Sequence, residues 1–186
     1  MLTIEKTGKA EQVIHRSRFY ACAGYCETER EVGLFLRQLA ALYQNAHHLA
    51  YAFRIKTADG IIPRFSDAGE PSGTAGKPIL QRLEARDLIH VAVGVVRYYG
   101  GVNLGTGGLA RAYGGTAKIA LDAAVIIPYA EMRAFNISVD YNQMDTLTRL
   151  VAQLKGKVLS KHFDHRIQIK VSLPITEVDA FINRFI

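Results

Sequence analysis

Apolar and polar positions alternate along the early part of this chain. Phe19, Ala21, Ala23 and Tyr25 interleave with Tyr20, Cys22, Gly24 and Cys26, which predicts a β-strand over 18–26. Val32, Phe35, Leu36, Leu39 and Leu42–Tyr43 then follow helical spacing over 29–44. Alternation returns at Leu49, Tyr51, Phe53 and Ile55, and Asp59–Gly60 predicts a turn. Residues 61–78 contain three prolines and read as a long loop before a short helix near 79–87. Leu88 to Val96 is nearly all apolar, as suits a central strand covered on both faces. A helix over 108–124 carries Leu109, Ala112–Tyr113, Thr116–Ala117, Ala120–Leu121 and Ala124 on one side. Pro128 interrupts the pattern, making 128–132 a domain joint. Beyond it Phe135, Ile137, Val139 and Tyr141 alternate, and Leu147, Leu150–Val151 and Leu154 predict a helix. Strands follow from Val158 and from Ile167, with a turn at Asp164–His165, and a last helix starts near Val178. That order is βαββα, one strand short of a ferredoxin-like βαββαβ unit.

Between the predicted elements lie two glycine-rich loops edged with Lys and Arg. Gly100, Gly101, Gly105, Gly107 and Gly108 fall within nine residues and run into a helix opening Gly108-Leu109-Ala110-Arg111. Free N–H groups, the positive dipole end and a guanidinium together have the chemistry of an anion site. Arg111 and Lys118 are seven residues apart and share a helix face, which extends that site into a candidate phosphate track. Tyr98 and Tyr99 follow Arg97 and point to opposite sides of a strand, leaving one free to stack on a nucleobase. The candidate phosphate- or nucleic-acid-binding residues are therefore Lys77, Arg97, Tyr99, Gly105, Gly107, Gly108, Arg111 and Lys118. A solvated basic face and a space-filling tyrosine are the plain alternatives.

Other motifs point elsewhere or fail. Gly76-Lys77-Pro78 echoes a P-loop, but that motif needs Gly at 71 and Ser or Thr at 78, and both are proline. Gly105, Gly107 and Ala110 match a dinucleotide fingerprint, yet the nearest acid, Asp122, lies within the same helix. His47 and His48 diverge in a strand, and no spacing supports a metal site. Asp67 and Glu70 have the chemistry of an acid–base pair or a Mg²⁺ site. Ser66, Asp67 and Gly69 are turn formers, which favours carboxylates bonded to the amides of their own turn. Gly114–Gly115 in mid-helix read as a close-packing point or as backbone access for a ligand. No Ser–His–Asp or reactive-cysteine pattern stands out.

Charge adds a mild bias. The net charge is +6, with 15 Lys/Arg against 11 Asp/Glu in 1–128 and 8 against 6 in 129–186, so both parts favour polyanions weakly. Cys22 and Cys26 on one strand would lie about 13 Å apart, beyond the roughly 7 Å limit for a disulfide. With no signal-like opening and no apolar run of membrane-spanning length, the chain reads as cytoplasmic, reduced and without a membrane partner.

Longer motifs carry a family resemblance. They are Ser17-Arg18-Phe19, Ala46-His47-His48, the loop from Ser66 to Pro78, and the run from Val96 to Tyr113. Across residues 14–124 the chain resembles the IMPACT/YigZ family, and 132–186 resembles the C-terminal domain of its bacterial members. It departs from the family pattern at Ala68, where a second Asp is usual, and at Leu49, where Cys is common. Within the motif stand Ser66, Asp67, Glu70, Pro71, Gly73 and Thr74. The resemblance implies an α+β protein: an N-terminal β-α sandwich (1–128) like domain IV of elongation factor G and the GHMP kinases, and a ferredoxin-like domain (132–186) lacking its last strand. Eukaryotic relatives regulate translation through a coactivator of a starvation-responsive kinase, a partner that does not transfer to a bacterial chain. The expected function is non-catalytic RNA or ribosome binding linked to translation regulation, with no cofactor or metal. A nucleotide-dependent transferase using Gly105–Gly108 and a protein-interaction regulator are the alternatives.

Overall fold

The computed structural model describes residues 1–185. They form an α+β protein of two compact units, Met1–Tyr129 and the residues from Ala130 onward.

Five antiparallel strands make the main sheet of the first unit, in the order β2-β3-β6-β4-β5: β2 Gly8–Ile14, β3 Ser17–Tyr25, β4 His48–Thr57, β5 Gly60–Ser66 and β6 Val91–Tyr98. Period-two side-chain direction sorts this sheet into two faces. Phe19, Ala21, Ala23, Val91, Val93 and Val95 enter the larger core with Leu83 of α2 (Gly76–Ala85) and Leu109, Tyr113 and Leu121 of α3 (Gly105–Ala123). On the opposite face, α1 (Glu29–Leu42) buries Val32 against Phe53, Ile55 and Ala92, and Leu39 against Cys22 and Val96. Strand β6 is thus buried on both sides, as its unbroken apolar run requires. The two cysteines are free and buried, and burial pushes the Cys26 thiol up to about 12. A separate ribbon pairs β1 (Leu2–Lys6) with β7 (Val125–Pro128), setting Leu2 opposite Pro128.

Five features differ from the sequence pattern. Residues 60–66 form strand β5 rather than loop; Pro63 is tolerated because β5 lies at the sheet edge. Helix α2 begins at Gly76, three residues before the apolar periodicity, and α3 begins at Gly105 rather than Gly108. Strand β6 begins at Val91, because Leu88 and Ile89 give their N–H groups to Leu83 of α2 and Leu2 of β1 instead. Strands β1, β2 and β7 are not announced by alternation; pairing with neighbours holds them.

The second unit runs β8 (Met132–Val139), α4 (Met144–Gln153), β9 (Lys157–Phe163), β10 (Ile167–Pro174) and α5 (Val178–Phe185), with sheet order β8-β10-β9. Its core joins Val139, Leu147, Val151, Ile167, Ile169, Val171, Leu173 and Phe181. Asp140 and Gln143 form a reciprocal cap ahead of α4. Among the described residues no fourth strand completes the βαββα order.

Candidate functional site

The loop between β5 and α2 is organised by one carboxylate. Asp67 accepts hydrogen bonds from the Gly73 N–H (2.8 Å), the Ala75 N–H (3.0 Å) and the Gly76 N–H (2.8 Å). Desolvation raises its pKa, but the three backbone donors outweigh it and leave Asp67 below the usual carboxylate value. The Ser66 hydroxyl accepts from the Ala68 N–H at 3.2 Å, and the Thr74 hydroxyl donates to the Pro71 carbonyl at 2.6 Å. Gly73 sits at φ 77°, and Pro71 borders the cavity described below. The turn-building chemistry of Ser, Thr and Asp accounts for this loop without any ligand.

Glu70 leaves that loop for the interior. It accepts from the Arg97 guanidinium and from the Tyr113 hydroxyl, both at 2.7 Å, and its side chain is 5% exposed. Burial, with the Glu70 hydrogen bond, pushes the Tyr113 pKa upward, so the phenol stays protonated. Arg97 also donates to the Ser17 hydroxyl at 3.3 Å and lies between the rings of Phe19 and Tyr99, 5.6 and 5.3 Å from their centroids. His48 donates from Nδ1 to the Ala68 carbonyl at 2.9 Å, turning Nε2 towards Glu70 at 3.8 Å. Both carboxylates of the motif are therefore committed to internal bonds.

Next to this network is the start of α3. Leu104 caps it with no side-chain bond, and its first turn holds no acid. Gly105 takes φ 67°, which an L side chain resists, and so lets the chain turn sharply into the helix. Gly105 and Thr106 open onto a cavity of about 520 Å³, walled also by His48, Glu70, Arg97, Tyr99 and Asn103. Two bonds place Tyr99 there: its hydroxyl donates to Asn103 at 3.0 Å and its N–H to the His47 Nδ1 at 3.1 Å.

The expected phosphate residues do not form one track. Arg97 is 4% exposed and paired with Glu70, so it supports Tyr99 rather than facing solvent. Gly107 and Arg111 are exposed, and the Arg111 Nη1 lies 3.4 Å from where a Gly107 side chain would begin. Arg111 and Gly108 border a second cavity of about 320 Å³ with Gln12 and His15. Lys118 is exposed and pairs with Asp122 at 2.7 Å, an acid that also takes Arg86, so the lysine's charge is partly offset there. Lys77 is exposed on the first turn of α2. Gly114 faces Pro78 of α2 at 3.4 Å from an added Cβ and accepts from Arg82, the close-packing role. Sequence spacing alone did not bring out Ser17 and Tyr113, because their roles arise from strand register and helix packing.

Among the described residues no group of three or more His, Cys, Asp or Glu is placed to hold a metal ion. No described helix is long and apolar enough to cross a membrane.

The Impact N-terminal domain model matches residues 15–121, a span that holds the whole of this network. The chain belongs to the IMPACT family. A domain of unknown function (DUF1949) matches residues 137–186. An IMPACT family member of Haemophilus influenzae is 35% identical over 172 residues, 92% of this chain and 84% of that protein. The IMPACT family member YvyE of Bacillus subtilis is 32% identical over 179 residues, covering 96% and 82%. A crystal structure of a hypothetical protein superposes with a TM-score of 0.71 at 30% identity, over 98% of this chain and 89% of that one. The two-unit α+β fold is therefore shared along nearly the whole length.

Proposed function

We propose that this protein binds RNA, free or in the ribosome, without chemistry of its own, and that it acts in translation regulation. The observation that carries the reading is the uncapped start of α3, opening beside the exposed Tyr99 ring and followed by the exposed Arg111. Free amides and a guanidinium suit a backbone phosphate, and an adjacent ring suits a base. The surplus of positive charge supports it, and the link to translation comes from the family.

Purified full-length protein should bind labelled RNA in fluorescence anisotropy and co-sediment with ribosomes. Log affinity should fall linearly with log salt, by about 0.7 for each phosphate contacted on a single strand. Failure in both assays, together with a melting-temperature rise on adding ATP or GTP with Mg²⁺, would sink this reading in favour of a nucleotide-using transferase. Failure in both without such a rise would favour a protein-interaction role.

A further inference from the structure

On the α1 side of the main sheet there is a further opening, of about 490 Å³, lined by Arg16, Arg18, Tyr20, Tyr43, Tyr98 and Tyr99. Its walls follow from register. Phe19 and Ala21 point into the α3 core, so Arg18 and Tyr20 point the other way, and Arg18 lies directly opposite Tyr98 of β6. Helix α1 ends at Leu42, and Tyr43, its C-cap, lays its ring on Tyr20 with centroids 4.6 Å apart and planes 26° apart. Tyr98 meets Tyr20 edge-on at 6.0 Å and donates its hydroxyl to the Gln44 carbonyl at 2.9 Å. The rings are thus fixed by one another and by backbone before any ligand arrives.

The backbone of Arg16 is fixed as well. It sits with His15 in the two-residue turn between β2 and β3, both at positive φ (66° and 44°), where Asn-Gly or Gly-rich pairs are the relaxed choice. A side chain at Gly100 would overlap the Arg16 carbonyl, so the loop after Tyr99 packs directly on this turn. Tyrosines and arginines line the opening and no carboxylate does, a charge pattern complementary to a polyanion that carries flat rings.

We infer that this opening is a stacking site for unpaired bases of single-stranded RNA, with Arg16 and Arg18 taking the flanking phosphates. The inference rests on the RNA-binding reading above and narrows it to one substrate class. A duplex keeps its bases stacked on one another and cannot lay them on tyrosine faces, whereas a single strand can. Tyr99 borders this opening and the cavity at α3 alike, so one strand can pass from bases on the tyrosines to a phosphate at the helix start.

The test is fluorescence anisotropy on the full chain, with a labelled single-stranded RNA and the same sequence annealed into a duplex. The single strand should bind at least about tenfold more tightly, since only it can stack. Tyr43→Ala should weaken single-strand binding by about 5- to 150-fold, the range spanned by one base–aromatic stack, and Tyr43→Phe should restore it. Arg16→Ala with Arg18→Ala should lower the salt slope by about 0.7 for each arginine removed, with melting curves verifying the fold. Equal affinity for duplex and single strand overturns the inference. So does single-strand binding that survives both sets of substitutions but falls with Arg111→Ala, a result that leaves the broader RNA reading intact. Absence of any RNA binding overturns both, as does capture of an extended proline-rich peptide that Tyr43→Ala abolishes when no RNA binds.

Discussion

Helices α2 and α3 both follow glycine-containing loops with a basic residue near the start, and they treat that start in opposite ways. At α2 the cap residue Ala75 offers no side chain, so Asp67, eight residues upstream of it, folds back to take the Ala75 and Gly76 N–H groups. At α3 Leu104 offers none either, and no carboxylate comes to replace it. The α2 end is sealed by the protein; the α3 end is left for water or a ligand. The comparison teaches that glycine and lysine in a loop do not mark an anion site by themselves. What matters is whether an acid elsewhere has already taken the free amides.

The largest expected effect breaks the link between the two loops. Glu70→Ala removes the acceptor shared by Arg97 and Tyr113 and strands a buried guanidinium, which should cost about 3–5 kcal/mol in chemical denaturation. A loss below about 1 kcal/mol would mean that Arg97 finds another partner. Unsealing α2 comes next. Asp67→Ala should cost about 2–3 kcal/mol through its charge-assisted backbone bonds. Because the folded pKa of Asp67 is lowered, its contribution should be full above the unfolded value near 4 and fade as pH falls through the folded value. Asp67→Asn should flatten that acid-side decline in stability, and an unchanged profile would assign it to other groups.

At the open end, Arg111→Ala should leave folding within about 0.5 kcal/mol while weakening RNA binding by about 1.5–3 kcal/mol. Unfolding with residual binding unaltered would make the arginine structural and turn attention to Lys77. Thr106→Asp gives α3 the acid that α2 borrows. Stability should rise by about 0.3–1 kcal/mol as the charge meets the dipole, while RNA affinity falls; a gain in both would contradict an anion at that end. The smallest effect belongs to Lys118→Ala, which should not change RNA affinity measurably because Lys118 is engaged with Asp122.

Much of the scaffold was legible in the sequence. The periodicities of α1, β4, β6 and the βαββα unit follow from which faces must be buried, and the turn-forming character of Asp67 predicted what its carboxylate does. Pro63 hid β5, since the residue that argues against a strand is harmless at a sheet edge. Three glycines hid the first turn of α3, since their weak helix propensity argues against a start before Gly108. The site was read less well. Proximity in sequence put Arg97, Arg111 and Lys118 in one track, but Arg97 is taken by Glu70, a partner that spacing does not encode, Lys118 pairs with Asp122, and Arg111 stays exposed beside Gly107. The tyrosine-lined opening joins residues 16–20, 43 and 98–99, and only cross-strand register and the end of α1 bring them into one place.

Leu2 pairs with Pro128, so the first strand of the N-terminal unit needs the last one as its partner. At about 5–20 residues per second, roughly 6–25 s of synthesis separate the two. Throughout that interval Leu2 and Ile4 must wait in the nascent chain without their ribbon. The same pairing brings the two ends of the unit side by side, the arrangement that lets a module be spliced before or after other sequence without opening its core. Its termini close it like a clasp.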